Sequence, residues 1–161
     1  MTKTLYPGTF DPVTNGHLDI AKRAYNIFEN LTILIASHPS KKPIFSAEER
    51  VFFLSESLKS YKNIKIEAYN GLLADYVGNS EISIIIRGLR AVSDFEYELS
   101  LALMNRKLNM NIETIFLTPK EDLIYLSSTM VKQISSFGGD VSKWVPPSVS
   151  QALEKIYKKR K

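Results

Sequence analysis

The 161-residue sequence contains no cysteine and only two histidines. It therefore has no disulfide framework, no thiolate nucleophile and no cysteine metal ligand, and two histidines alone do not make a structural zinc site. No apolar run approaches the roughly 20 residues that span a bilayer, and the first residues lack the apolar core of a signal peptide. We expect a cytoplasmic protein whose chemistry depends on other residue types.

The sequence also has only a small excess of positive over negative charge. The formal net charge is +4, from 21 Lys and Arg against 17 Asp and Glu. Part of the excess lies in residues 158–161, which we interpret as a solvated tail in preference to a nucleic-acid arm. Basic stripes interleaved with aromatic residues, which single-strand binders use, do not occur. We therefore expect neither nucleic acid nor a membrane as a partner.

Strand and helix patterns alternate along the chain. Five apolar or alternating runs predict strands, at 4–6, 31–36, 64–68, 82–86 and 112–117. Helical spacing begins at Leu18, and capping boxes at Ser46–Glu49 and Ser93–Glu96 predict two further helix starts. Other helical patterns lie at 72–77, from 127 or 128 to 137, and from about 148 to 157. The order predicts one domain, 1–161, with a Rossmann-like α/β fold: a doubly wound five-stranded parallel sheet with extra C-terminal helices.

The first strand-to-helix connection carries a glycine turn and a histidine. Pro7-Gly8 is expected to end the first strand, because proline cannot donate to a ladder and glycine can take positive φ. Thr14 or Asn15 is the expected N-cap of the first helix. His17 then lies in the first helical turn, where unpaired N–H groups and the helix dipole favour a phosphate. The alternative is an ordinary surface histidine.

An arginine pair follows the fourth strand, at the edge where parallel sheets bind ligands. Arg87 and Arg90 suit phosphate oxygens, and Gly88 lets a ligand approach the backbone. The alternative is that these arginines pair with acids on neighbouring helices, such as Glu96 and Glu98.

Two further groups of polar residues belong to the same edge. Lys41-Lys42 follows the second strand, and one of these lysines is a candidate anion contact, unless both are simply solvated. Hydroxyls at 127–129, followed by Lys132, open a helix and form another candidate anion site, the alternative being simple N-capping. The sheet edge thus offers many anion donors and no evident nucleophile or general base. Such a set suits attack by a substrate phosphate, already an anion, on the α-phosphate of a nucleotide.

Six short strings, spread along most of the chain, closely resemble the bacterial phosphopantetheine adenylyltransferases, which are nucleotidyltransferases with a T-x-G-H motif. They are Tyr6–Pro12, Thr14–His17, Ser40–Pro43, Ile86–Ala91, Asp94–Glu98 and Leu126–Thr129. The resemblance implies transfer of AMP from ATP to 4′-phosphopantetheine, giving dephospho-coenzyme A and pyrophosphate, the penultimate step of coenzyme A biosynthesis. It also implies Mg²⁺ bound through ATP and not by protein side chains, a homohexamer, and coenzyme A as a candidate feedback ligand.

The resemblance assigns roles to residues at matching positions. His17 would stabilise the transition state. The phosphopantetheine site would consist of Thr9, Lys41, Leu73 and Arg87. The ATP site would consist of Thr9, Phe10, His17, Gly88, Leu89, Arg90, Glu98, Leu123, Ile124, Tyr125, Leu126, Ser127, Ser128 and Thr129. The family usually has Ile and Ser where this chain has Leu126 and Thr129, and both exchanges keep the apolar bulk and the hydroxyl.

Three other functions stay open from the sequence. A sister nucleotidyltransferase would use nicotinate mononucleotide or CTP, although the strings at 87–90 and 94–98 argue against it. A non-catalytic nucleotide-binding module would bind ATP without turnover. A basic nucleic-acid binder would show duplex affinity with a steep dependence on salt.

Overall fold

The computed structural model describes residues 2–36 and 42–158. The five strands are β1 Lys3–Gly8, β2 Asn30–Ala36, β3 Ile64–Tyr69, β4 Ile82–Gly88 and β5 Glu113–Leu117. The six α-helices are α1 Asn15–Phe28, α2 Ala47–Leu58, α3 Leu73–Gly78, α4 Val92–Leu108, α5 Ser128–Ser136 and α6 Pro147–Lys158. A 3₁₀ turn at Glu121–Leu123 precedes α5. No described helix has the length and apolarity needed to cross a membrane.

The strands form one parallel sheet in the order β3-β2-β1-β4-β5, which confirms the predicted α/β architecture. The chain first builds outward from β1 through β2 to β3, and then crosses back to add β4 and β5 on the other side of β1. The order therefore reverses between β1 and β4. Ligands of doubly wound sheets bind beyond the carboxyl ends of the strands at such a reversal.

Side chains of the central strands alternate between two apolar layers, as the period of a strand requires. Leu5, Leu34 and Ile85 contribute to a layer that includes residues of α3. Tyr6 and Ile86, each one residue further along its strand, contribute to the larger layer under α1, α2, α5 and α6. Because both faces are covered, the strands read as apolar runs, and this is why the sequence pattern located them.

Strands β1 and β4 each continue two residues further at their carboxyl ends than the sequence predicted. β1 continues through Pro7 and Gly8, which pair in register with Leu34 and Ile35 of β2. The pairing of β1 with β4 reaches only Leu5, and the Pro7 carbonyl points to that side, where it accepts from Arg87. The missing N–H of Pro7 therefore falls where no ladder bond is formed. β4 likewise includes Arg87 and Gly88, paired with β5, so the prediction that it ends at Ile86 is wrong.

The backbone differs from expectation at two more places. Positive φ occurs at Phe10, at 51°, and Gly138 is the only described glycine that has it, so the expectation for Gly8 is wrong. Helix α4 begins at Val92 after Ala91 without a side-chain cap, so the predicted N-cap at Ser93 is also wrong. The carboxylate of Asp94, in the first turn, accepts from the Arg90 N–H instead.

Gly8 should be intolerant of a side chain for reasons of space. A Cβ at this position would lie 2.8 Å from Cζ of Phe10, a ring that is only 2% exposed and cannot move aside. We expect Gly8→Ala to lower the free energy of unfolding by about 1–3 kcal/mol, as overpacking does. The matched control is Gly88→Ala, whose Cβ would meet its nearest atom at 3.7 Å. Equal urea midpoints for the two variants would contradict this explanation.

Candidate active site

A cavity of about 470 Å³ opens at the carboxyl ends of β1 and β4, at the reversal of strand order. Most of the predicted site residues line it: Thr9, Phe10, His17, Arg87, Gly88, Arg90, Glu98, Leu123, Leu126, Ser127, Ser128 and Thr129. Four do not appear in its wall, namely Leu73, Leu89, Ile124 and Tyr125. Lys41 lies outside the described residues, while its neighbour Lys42 lines the cavity.

His17 is held at the N-terminus of α1 by a capping box, and of the two predicted N-caps, Thr14 and Asn15, it is Thr14 that caps the helix. The Thr14 hydroxyl accepts from the His17 N–H at 3.4 Å, and the Thr14 N–H donates to His17 Nδ1 at 3.1 Å. A ring nitrogen that accepts a backbone N–H carries no proton, so the proton of the neutral ring is on Nε2. The imidazole therefore presents one N–H donor besides the nitrogen that caps the helix.

The surroundings of His17 keep its ring neutral. Burial, and then the positive charge of Arg90, lower the pKa of His17 from 6.5 to about 4. The Phe10 ring packs edge-on against the imidazole, with centroids 5.1 Å apart, and also against Tyr6 at 5.4 Å. The left-handed backbone of Phe10 turns its side chain into this stack, a conformation that a non-glycine residue adopts at some cost. His17 can thus donate a hydrogen bond at neutral pH without carrying a charge.

Arg87 is engaged by its own protein partners. Its Nε and Nη2 donate to the two oxygens of Glu98 at 2.6 and 2.7 Å, and its Nη1 donates to the Pro7 carbonyl at 2.9 Å. Burial lowers the pKa of Arg87, but its bonds to Glu98 outweigh this and raise the pKa above its ordinary value. The sequence analysis left open whether Arg87 faces a ligand or pairs with an acid. In the structure it pairs with Glu98 and also lines the cavity.

Further donors in the cavity wall come from Arg90, after β4, and from the start of α5. Arg90 donates to the Leu126 carbonyl and pairs with Asp94, both at 3.3 Å. Ser127 caps α5 by accepting from the Met130 N–H, and Ser128 donates to the Pro12 carbonyl at 2.7 Å. The first N–H groups of a helix have no partner within it, so the start of α5 can bind an anion.

Two polar contacts in the wall were missed by the sequence analysis. Asp11 binds the Ile44 and Phe45 N–H groups and Lys132, and Arg50 donates to the Thr9 carbonyl. No local signal marks Arg50, because an arginine in the first turn of a helix is usually solvated, whereas this one is 3% exposed in the structure. For Asp11 the signal was chemical: it is the only acid among residues 1–18, in a stretch that the sequence predicts to face anions.

Among the described residues, no group of three His, Asp or Glu side chains is placed to hold a metal ion. The buried carboxylate of Asp11 already accepts from two backbone N–H groups and an ammonium. The binding of Mg²⁺ through a triphosphate, and not by protein side chains, stays a prediction.

Comparison with known proteins identifies a structure with a similar fold and a family to which the chain is similar. A solved structure of a lipopolysaccharide core biosynthesis protein from Thermoplasma volcanium is similar with a TM-score of 0.57, 21% identity, and coverage of 75% of this chain and 99% of that chain. This similarity concerns the fold alone. Residues 5–134 match the family described as Cytidylyltransferase-like.

Curated relatives are similar over their full length. A phosphopantetheine adenylyltransferase from Hahella chejuensis is 49% identical, with all of both chains covered. Those from Thermodesulfovibrio yellowstonii and Cupriavidus necator are 52% and 51% identical, covering 99% and 98% of this chain and 100% and 99% of the relatives. The chain belongs to the cytidylyltransferase-like family and, within it, to the phosphopantetheine adenylyltransferases.

Proposed function

We infer that this chain transfers the adenylyl group of ATP to 4′-phosphopantetheine, giving dephospho-coenzyme A and pyrophosphate. The observation that supports this is the sequence identity of about 50%, over nearly the whole chain, to relatives named for that reaction. The cavity is consistent with it, because the wall offers an uncharged imidazole donor, paired cations and a helix N-terminus. The two anionic substrates would meet at the reversal of strand order.

The chemistry needs positioning more than proton transfer. A phosphate oxygen of 4′-phosphopantetheine attacks the α-phosphorus of ATP, the bond to the β-phosphate oxygen breaks, and pyrophosphate leaves with that electron pair. The attacking group is already an anion, so no general base is required. The site must hold two anions together and stabilise charge as it spreads over the α-phosphate oxygens.

We assign His17 to the α-phosphate and the cations to the ends of the substrates. The His17 Nε2–H can donate to an α-phosphate oxygen, and a donor fixed before the reaction stabilises the transition state without reorganising. Arg87 and Lys41 would bind the phosphate of 4′-phosphopantetheine, with Lys42 as the described lysine of that pair in the cavity wall. Arg90 and the start of α5 would bind the triphosphate of Mg·ATP, which enters as the substrate.

Several assignments stay predictions. Both carboxylate oxygens of Glu98 accept from Arg87, and each keeps a lone pair for one further donor, so a Glu98 contact with ATP stays a prediction. Leu73 packs against the apolar layer beside α3 and not in the cavity wall, and its contact with the pantetheine arm is a prediction. Roles for Leu89, Ile124 and Tyr125, coenzyme A feedback and a cytoplasmic location are likewise predictions.

Pyrophosphate release from matched substrate pairs tests the function. We expect pyrophosphate from ATP with 4′-phosphopantetheine in the presence of Mg²⁺, and none after chelation. Pantetheine without its phosphate should fail, because the attacking oxygen is missing. Turnover with nicotinate mononucleotide, or with CTP in place of ATP, but not with this pair would favour a sister nucleotidyltransferase. ATP binding with no turnover on any pair would favour a binding module.

His17 should govern kcat through a neutral hydrogen bond. We expect His17→Ala to lower kcat about a hundredfold or more, the scale of one lost preorganised donor, while ATP affinity changes little. The melting temperature should fall moderately, because the Thr14 N–H loses the ring nitrogen that accepts from it. With its pKa lowered to about 4 in the free protein, the ring stays neutral above pH 5.5, so kcat/KM should not fall as pH rises to 8. It should rise near pH 6, where the attacking phosphate loses its second proton. A fall through pH 6.5 would instead indicate a catalytic imidazolium.

We further propose that the chain assembles into a homohexamer. The support in the structure is α4, whose apolar side chains are exposed on two opposite faces: Phe95, Leu99 and Leu103 on one, and Tyr97, Met104 and Leu108 on the other. Large apolar side chains exposed together on one helix are typical of a surface that a partner covers. Copies of the same chain would cover it in a closed assembly.

Leu103→Glu tests this assembly. Leu103 is 58% exposed in the single chain, so a charge there should leave the fold intact but destabilise a contact that buries the residue. We expect light scattering to give six chains for the unaltered protein and fewer for the variant. The matched control is Ile27→Glu on α1, 57% exposed, which should keep the six-chain mass. A monomer at micromolar concentration before any substitution would refute the hexamer.

A further inference from the structure

Asp11 is an acid in the wall of a cavity that receives anions. Its side chain is 5% exposed, and its oxygens accept from Ile44 N at 3.1 Å, Phe45 N at 3.0 Å and Lys132 Nζ at 2.9 Å. A negative charge near a triphosphate raises the energy of the bound state unless positive charges or N–H dipoles beside it offset the repulsion. Donors of the protein already surround this carboxylate. We therefore look for its role in the groups that it binds, which are two backbone N–H groups and the Lys132 ammonium.

The contacts of Asp11 join three separate elements of the cavity wall. Asp11 belongs to the loop after β1, Ile44 and Phe45 lead into α2, and Lys132 lies on α5. Lys42, two residues before Ile44, lines the cavity together with Lys132. The single carboxylate thus sets the distance between two lysines that come from different parts of the chain.

A buried arginine reinforces the same connection. Arg50 is 3% exposed and donates to the Thr9 carbonyl at 2.8 Å and to the Ser46 carbonyl at 3.1 Å. Thr9 neighbours the Asp11 loop and Ser46 follows Phe45, so Arg50 and Asp11 fasten the same two segments together. Asp11 alone extends the connection to α5.

We propose that Asp11 is a positioning residue of the adenylyl transfer. It holds the Lys132 ammonium and the segment carrying Lys42 against the loop of Thr9, so that these cations face one bound polyphosphate. This inference rests on the proposed function for its reaction, but its geometry applies to any polyphosphate in the cavity. Lys132 would contact the polyphosphate, and Asp11 would act through Lys132 and the two backbone N–H groups.

The sign of one binding change separates positioning from simple proximity. If Asp11 only lay near the ligand, Asp11→Asn would remove a repulsive charge and tighten the binding of inorganic pyrophosphate. If Asp11 positions Lys132, the same variant should weaken that binding, because the carboxamide turns an NH₂ group or an uncharged oxygen toward the ammonium. Calorimetric titration with pyrophosphate measures this without requiring turnover.

The kinetic arm uses three variants and a matched control. We expect Asp11→Asn and Lys132→Met each to lower kcat about tenfold or more, since small misplacements at a reacting centre are costly. The double variant should lose no more than the worse single one, because the two residues act as a unit. The control is Asp19→Asn, a buried aspartate that accepts from the Lys120 N–H and lies outside the cavity wall, and its kcat should hold.

Each outcome decides the proposal. Tighter pyrophosphate binding by Asp11→Asn, additive losses in the double variant, or equal losses in Asp11→Asn and Asp19→Asn that follow their melting temperatures would each overturn it. If Asp11→Asn does not fold, Lys132→Met keeps the bonds to Ile44 and Phe45 and must lower both kcat and pyrophosphate affinity at a temperature where circular dichroism shows it folded. Its melting temperature should fall, because the buried Asp11 carboxylate loses its ammonium partner. If the unaltered protein releases no pyrophosphate from ATP and 4′-phosphopantetheine, the proposed function fails, and the pyrophosphate titration still tests Asp11.

Discussion

The hydrogen bond from the Thr14 N–H to His17 Nδ1 joins the start of α1 to the chemistry of the cavity. A glutamate or glutamine usually completes a capping box, and either would leave no imidazole here. With His17 in that place, the bond that satisfies an otherwise unpaired N–H also selects the ring tautomer and aims the remaining N–H. Because α1 packs on the sheet through Leu18, Ile20 and Ala21, the donor is held by the core of the fold.

Three of the four Lys and Arg residues that the described cavity wall contains share a second constraint, which is that each pairs with an acid of its own. Arg87 pairs with Glu98, Arg90 with Asp94 and Lys132 with Asp11. Unpaired, these three positive charges around one cavity would repel each other in the absence of substrate. Pairing removes this repulsion and also fixes long side chains that would otherwise lose rotamer freedom on binding. The acids in the wall are therefore compatible with a site for anions.

The sequence predicted the architecture because apolar runs, glycines and capping residues are local signals. The strands, the cavity edge, the Thr14 cap and the positions of His17 and Arg87 follow from such signals. Errors arose where distant residues decide the outcome, as where β2 carries β1 on through Pro7. The pairing of Arg87 stayed open for the same reason, since no periodicity reveals that an arginine ending β4 meets a carboxylate on α4.

The geometry of Arg87 restricts how a phosphate can bind to it. Of its five N–H donors, two bind Glu98 and one binds the Pro7 carbonyl, which leaves one N–H on each terminal nitrogen. A phosphate that accepts from these two would gain charge-assisted bonds without breaking the ion pair. An approach from the Glu98 side would have to displace a carboxylate already bound at 2.6 and 2.7 Å. Glu98 thus fixes the side from which a phosphate can bind to Arg87. A lysine at this position, with three freely rotating donors, would not impose that orientation.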